Sequence, residues 1–218
     1  MCYINCHTHF YDNTAAYQII NLTNDFTVPD IDTFFSAGIH PWNIREQAID
    51  DLLTGLDILA AQGSIVAIGE CGLDRACDIP LSTQKSVFTS QLDIATAHQL
   101  PVIIHNVKAD SDLLQIRKAR GIETPWILHG YHGSPENARK LTTMGCMLSF
   151  GDDRNSKVRR VLSSVHTNTL LLETDDRFMS IATIYASAAE ILNLELTVLK
   201  KIIFQNFATL FNIEKDVS

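Results

Sequence analysis

Short apolar runs of strand length alternate along this chain with longer amphipathic stretches, and that alternation constrains the fold more than any single residue does. Eight runs read as strands: Cys2–Cys6, Tyr17–Leu22, Thr33–Gly38, Ile65–Gly69, Val102–Ile104, Trp126–Leu128, Met147–Phe150 and Thr169–Leu172. Helix-like stretches lie at Arg45–Gln62, Ser82–His98, Ser111–Arg120, Pro135–Met144 and Ser156–Ser163, with two more near Ile181–Leu192 and Thr197–Phe211. Val87, Phe88, Leu92, Ala95 and Ala97 follow a helical period. Ser134 and Pro135 have the form of an N-cap with Pro at the first helical position. Gly63 and Gly121 stand where helices stop. Strands alternating with helices, eight in all, predict an α/β fold: a parallel sheet closed into a TIM-like (β/α)8 barrel. No repeat, low-complexity segment or linker interrupts the pattern, so a single domain over 1–218 is expected.

Two early connections depart from this scheme. Phe10–Ala16 and Thr23–Asp32 are too short for a full crossover helix, which needs about ten to twelve residues. The barrel is therefore expected to be distorted, with outer helices missing after its first two strands. Tyr17, Ile19, Ile20, Leu22, Phe34, Phe35 and Ile39 would then lose their usual cover on one face. A fold-back of Thr197–Phe211 over the gap, giving a monomer, is favoured over cover by a homodimer.

In such barrels the active site forms at the carboxyl ends of the strands, and here those ends carry ligand-type side chains. His7 and His9 are two apart and share a strand face. His40 follows Gly38-Ile39, Glu70 follows Gly69, His105 ends Val102-Ile103-Ile104, His129 ends Ile127-Leu128, and Asp175 follows Leu172-Glu173-Thr174. Five of eight histidines fall at these ends, too many for chance placement. Four of these imidazoles and two carboxylates suit two divalent ions, with Glu70 placed to bridge. A metal pair about 4 Å apart shares a hydroxide nucleophile and clamps a phosphoryl or carbonyl oxygen. His132 reads as a loop residue, His98 and His166 as surface residues, and Cys71 as packing rather than a nucleophile. Glu173 and Asp176 compete with Asp175 for the same role.

These motifs resemble the TatD family of metal-dependent hydrolases, within the amidohydrolase superfamily. The resemblance rests on His7-Thr8-His9, Gly38-Ile39-His40-Pro41, Gly69-Glu70-Cys71-Gly72-Leu73-Asp74, and the helix bearing Gln84, Phe88, Gln91 and Leu92. It continues through Pro101-Val102-Ile103-Ile104-His105, His129 with Gly133, Glu173-Thr174-Asp175, and Asn206 with Leu210-Phe211. It implies a barrel hydrolase with two divalent ions (zinc, manganese, nickel or magnesium) acting on DNA or another phosphodiester. It also implies that His7, His9 and Asp175 hold one ion and His105 and His129 the other. Glu70 then bridges, and Asp175 accepts a proton from the attacking water; Asp175 and Glu70 are the catalytic pair.

The departures bear on substrate. Val107 stands where the family usually has Arg, followed by Lys108; Arg177 replaces a usual Pro; and Gly130-Tyr131-His132 replaces a Cys-Phe-Ser run. Lys108, Arg75, Arg154 and Arg177 are candidates to contact phosphate from the loops, and His40 is a candidate either for substrate contact or for structural capping. The alternatives are a hydrolase of a small amide, ester or lactone, which needs no phosphate clamp, and a metal-binding protein with little catalysis. A net charge of −8 argues against nucleic-acid binding by surface charge alone. Five cysteines without a CxxC pair fit reduced thiols. With no signal-peptide pattern at the start and no apolar run of about 18 residues, a cytoplasmic protein without membrane association is expected.

Overall fold

Hydrogen bonds order eight strands in a single sheet, in chain order from first to last. The structure, a computed structural model, describes residues 2–22, 25–44, 48–121, 124–151 and 156–213. The strands are β1 Tyr3–Thr8, β2 Ala15–Asn21, β3 Phe34–Ala37, β4 Ala67–Asp74, β5 Val102–Val107, β6 Trp126–Leu128, β7 Cys146–Phe150 and β8 Leu170–Leu172. The helices are α1 Ile49–Ala61, α2 Leu81–His98, α3 Asp110–Arg120, α4 Pro135–Thr143, α5 Ser156–Leu162, α6 Ile181–Leu192 and α7 Leu196–Phe211. Pairing is parallel between β3 and β4, β4 and β5, β5 and β6, and β7 and β8. The end of β8 also returns beside β1 through a parallel bridge, Thr8 to Asp175. Parallel strands, intervening helices and a last strand beside the first make this the expected (β/α)8 barrel. Among the described residues no helix follows β1 or β2. The expected helix start at Arg45 lies outside the described residues.

The contacts group the chain into two compact units, residues 1–19 with 129–218 and residues 20–128. In the first unit, α6 and α7 supply the cover that the short connections leave out. Tyr185 of α6 is fully buried, and its hydroxyl accepts from Ile4 N (3.1 Å) and donates to Ile4 O (3.2 Å). α7 packs on β1 and β8 and places Phe204 and Phe207 at 6.2 and 6.4 Å from the Tyr17 ring. Asn206 Nδ2 donates to Thr167 O and Leu170 O. In the second unit, Phe26 covers the cluster of Ile39, Ile44 and Val87 and lies against Gly55 of α1. Ile19, Ile20, Leu22, Phe35 and Ile39 are accordingly buried, and Tyr17 and Phe34 half-buried, so the expected apolar patch does not stay open. No single helix among the described residues is long and apolar enough to cross a membrane.

β4 runs five residues past its expected end at Gly69. Between Ile68 and Cys71 it carries one residue more than the paired stretch of β5, Val102 to Ile104, which is a β-bulge. Pairing then resumes, Gly72 with His105 and Asp74 with Val107, and all eight residues of β4 are buried. Glycine is required on either side of Glu70 and Cys71. Gly69 and Gly72 have φ of +145° and +146°, and a Cβ would strike the carbonyl oxygens of Ile103 and His105 respectively. Glu70 therefore sits at a mid-strand bulge rather than at a strand end.

Candidate metal centre

The first unit gathers one donor set around the end of β1. The strand's period of two puts His7 and His9 together, with ring centroids 5.3 Å apart. His7 is fully buried and His9 about one-third exposed. Asp175 enters from the end of β8, its position fixed by two backbone hydrogen bonds, Asp175 N to His7 O and His9 N to Asp175 O. Its φ of +56° lies in the left-handed region that Asp tolerates better than most residues. Asp175 Oδ1 stands 3.5 Å from His7 Nε2 and 3.7 Å from His9 Nε2. Those separations exceed hydrogen-bond length. They match the roughly 3.4 Å between two ligand atoms on one tetrahedral ion with bonds of about 2.1 Å. Two imidazoles and a carboxylate at such spacing fit a divalent ion by chemistry and by distance.

Beneath this set a buried polar network locks β1 to β8. Asn5 Nδ2 donates to Thr174 Oγ1 (2.8 Å), Asn5 Oδ1 accepts from Thr174 N (3.0 Å), and Thr174 Oγ1 lies 3.0 Å from Thr8 Oγ1. Glu173, also fully buried, accepts from Gly130 N at 2.6 Å and stands 3.5 Å from His129 Nδ1. His129 in turn packs its ring 4.6 Å from that of His7. Of the three candidate acids, Asp175 faces His7 and His9, Glu173 holds the Gly130 turn and stands at the same ligand spacing from His129, in a donor group that Asp175 also joins, and Asp176 is exposed. Burial, then the Glu173 charge, push the Cys6 thiol well above its ordinary value, which keeps it neutral below the site.

The second unit holds another set around Glu70. Its Oε1 lies 2.8 Å from His105 Nδ1 and 3.2 Å from His40 Nε2. Trp42 N donates to His40 Nδ1 (3.2 Å), which fixes the tautomer with the proton on Nε2, facing Glu70. His40 therefore caps the turn Pro41–Asn43 and steadies the carboxylate. The other nitrogen of His105, Nε2, is 3.2 Å from Asp74 Oδ2, the carboxylate–histidine pairing that orients metal-binding imidazoles. Trp42 Nε1 donates to the same Asp74 oxygen at 2.7 Å, and Ala76 N to the other. Burial works to raise the Asp74 carboxyl, but the hydrogen bonds from Ala76, Trp42 and His105 outweigh it and hold the group below the usual range.

Two glutamines of α2 build this second set from behind. Gln84 accepts from Asp74 N (2.7 Å) and donates to Asp74 O (2.9 Å); Gln91 does the same for Ile39 (2.7 and 3.2 Å). Asn21 Oδ1 accepts from Glu70 N at 2.6 Å. The supporting roles of Asn5, Asn21, Trp42, Asp74, Gln84 and Gln91 are not read from the sequence. The signal available for Asn5 is a polar residue inside an apolar strand, two positions before His7.

The basic candidates fare unevenly. The Arg75 guanidinium makes two contacts to Asp112 Oδ2 (3.1 and 2.7 Å), and Lys85 pairs with Oδ1. Lys108 is exposed, at the end of β5. Arg177 lines two cavities, one of which Asp175 also lines. Arg154 lies outside the described residues. His132 is an exposed loop residue bonded to Gly130 O, and His98 pairs with Asp57 on the surface of the second unit. Cys71 is buried and its thiol pushed up by burial, then by the Glu70 charge, consistent with packing.

A family model described as TatD related DNase matches residues 3–212. The chain belongs to the TatD-related DNase family. An uncharacterized metal-dependent hydrolase of Bacillus subtilis, YabD, is 36% identical over 160 residues, covering 70% of this chain and 62% of that protein. A 3'-5' ssDNA/RNA exonuclease TatD of Cronobacter turicensis is 32% identical over 163 residues, covering 66% of this chain and 57% of that protein. The aligned stretch therefore spans about three-fifths of the length of these two relatives. The crystal structure of the Escherichia coli TatD homologue YJJV superposes with a TM-score of 0.82 at 23% identity, covering 97% of this chain and 98% of that one. That likeness shows the TatD barrel fold; the clusters of His, Glu and Asp able to hold metal are this chain's own.

Proposed function

We propose that this TatD-family chain, as one barrel domain over 1–218, is a divalent-metal-dependent phosphodiesterase acting on DNA or a related nucleic acid. The observation that carries the reading is Asp175 at 3.5 and 3.7 Å from His7 and His9, a ligand spacing rather than a hydrogen bond. The proposed ligands of two ions are His7, His9, Glu70, His105, His129 and Asp175. When bound, such ions supply Lewis-acid polarisation of the phosphoryl oxygen and a water acidic enough to attack at neutral pH. The chain's own residues do the rest. Asp175, about one-third exposed, takes the proton from the attacking water and passes it to solvent. Glu70 is oriented by His40 Nε2–H, and Asp74 holds the His105 ring in place. Lys108 and Arg177 contact phosphate oxygens from the loops; Arg75 serves through its exposed edge, while Asp112 holds its other side.

The Cronobacter relative named as a single-strand DNA and RNA exonuclease supports a nucleic-acid substrate. A small amide, ester or lactone is the second reading, favoured by Val107 in place of the family's Arg and by the engagement of Arg75 with Asp112. Metal-loaded protein assayed on oligonucleotides and on neutral esters decides between them. Turnover of oligonucleotides supports the first; turnover of an ester or lactone, with none of any phosphodiester, overturns it. The packing of α7 on β1 and on Tyr17 supports a monomer, which light scattering at high micromolar concentration tests directly; a cytoplasmic location is proposed alongside it.

A further inference from the structure

An exposed aromatic pair stands within the first unit, three residues from Asp175. The rings of Phe10 and Phe178 lie 4.1 Å apart at their centroids, tilted by 33°. Phe178 is 88% exposed, Phe10 37%, and Tyr11, next to Phe10 in the chain, 60%. Exposing a phenyl ring to this extent forgoes the stabilisation of burying it, about 1.5–3 kcal/mol, and large exposed apolar surface marks a contact site. The pair borders a cavity of about 380 Å³ that also takes in Thr8, Asp12 and Arg177. Arg177 lines the neighbouring cavity too, about 250 Å³, which Asp175 and Glu173 line.

The loops that carry the two rings are pinned to each other. Asp12 Oδ2 accepts from Ile181 N at 2.7 Å, at the start of α6. Thr14 Oγ1 lies 2.8 Å from Ser180 Oγ, and Asp12 Oδ1 accepts from both Thr14 N and Thr14 Oγ1. Behind Phe10, Thr8 Oγ1 donates to Phe10 O (2.9 Å). The aromatic face is thus set before any ligand arrives, which lowers the ordering cost of binding.

We infer that Phe178, backed by Phe10, is a stacking platform for one unpaired nucleobase of a single-stranded nucleic acid, with Arg177 contacting the adjoining phosphate. The inference rests on the phosphodiesterase reading above and adds the residues that would hold a base beside that site. Every base has a π-face, so a phenyl platform accepts any base without sequence preference. A duplex keeps both faces of its interior bases occupied, so an unpaired base is the natural occupant. Arg177 between the two cavities links a base on the platform to a phosphate near Asp175.

The test is a cycle of equilibrium binding on the metal-loaded protein, using a fluorescein-labelled octathymidylate with phosphorothioate linkages, read by polarisation. An abasic residue is walked through the oligonucleotide one position at a time. In the native protein one abasic position is expected to weaken binding about tenfold or more, the range of a single stacked base. Phe178→Ala is expected to weaken the intact oligonucleotide by a similar factor and to remove the penalty at that position; Phe178→Trp restores both. The ring is exposed, so the alanine variant keeps the fold, checked by circular dichroism. Cleavage of oligonucleotides with no abasic penalty at any position, or equal penalties in native and Phe178→Ala proteins, overturns the platform and leaves the phosphodiesterase reading standing. Binding with the expected penalty but no cleavage of the unmodified oligonucleotide overturns the phosphodiesterase reading and leaves the platform. Absence of binding overturns the platform.

Discussion

Replacing Glu173 by Gln probes how the first unit holds its imidazoles. Glu173 is fully buried, accepts from Gly130 N at 2.6 Å, and stands 3.5 Å from His129 Nδ1. Gln keeps the shape and an oxygen for Gly130 N–H, so the fold should lose less than about 1 kcal/mol, one ordinary hydrogen bond's worth. What it removes is the carboxylate oxygen that stands 3.5 Å from His129 Nδ1. With His129 as a proposed ligand, loss of a carboxylate beside it should cost roughly 10–100-fold in metal affinity, or about 1.4–2.8 kcal/mol. Isothermal titration of the metal-stripped protein with manganese or zinc, beside a urea melt, reads both quantities. Glu173→Ala is the contrasting variant. It strands the Gly130 N–H and should cost about 1–3 kcal/mol of stability in addition to the affinity loss. Native-like metal affinity in Glu173→Gln would refute the reasoning and make Glu173 a purely structural acceptor.

Two further outcomes follow from the second unit. Gly72→Ala places a Cβ into the His105 carbonyl oxygen at φ +146°. Overpacking and backbone strain together should cost about 2–4 kcal/mol, seen as a fall in the urea midpoint, and unchanged stability would contradict the bulge geometry. Burial works to raise the Asp112 carboxyl, but Lys85 and Arg75 outweigh it and hold the group below the usual range. A folded value below the unfolded one gives stability present above the unfolded pKa and lost as pH falls through the folded pKa. Asp112→Asn should therefore flatten the acid side of the stability–pH curve. It should cost about 1–2 kcal/mol near neutral pH, reduced from a buried pair's worth because Arg75 and Lys85 are 45% and 37% exposed. An unchanged acid limb in chemical denaturation between pH 3 and 7 would contradict it.

The barrel is legible in the sequence because the strand runs are apolar and the helices amphipathic, so every expected strand and helix has its counterpart, with β4 ending five residues late and the expected helix start at Arg45 outside the described residues. The absence, among the described residues, of a helix after β1 or β2 follows from connection length alone. The end of β4 is not legible, because a bulge lets pairing resume beyond Gly69 and no period-two pattern announces it. Ligand-type residues are visible where they stand at strand ends. Their supports are not: Asn5 meets Thr174 from 169 positions away, and Trp42 meets Asp74 from 32. Arg75 reads from the sequence as a phosphate contact. Its engagement with Asp112 depends on where α3 begins relative to β4, a tertiary fact.

Metal content tests the central claim most directly. The native protein, stripped and reloaded with manganese or zinc, is predicted to carry two ions per chain by mass spectrometry of the gel-filtered sample. His7→Ala and His105→Ala should each retain about one, with the fold intact by circular dichroism. A folded native protein that retains no divalent ion at micromolar concentration, or variants that both keep two, would contradict the account.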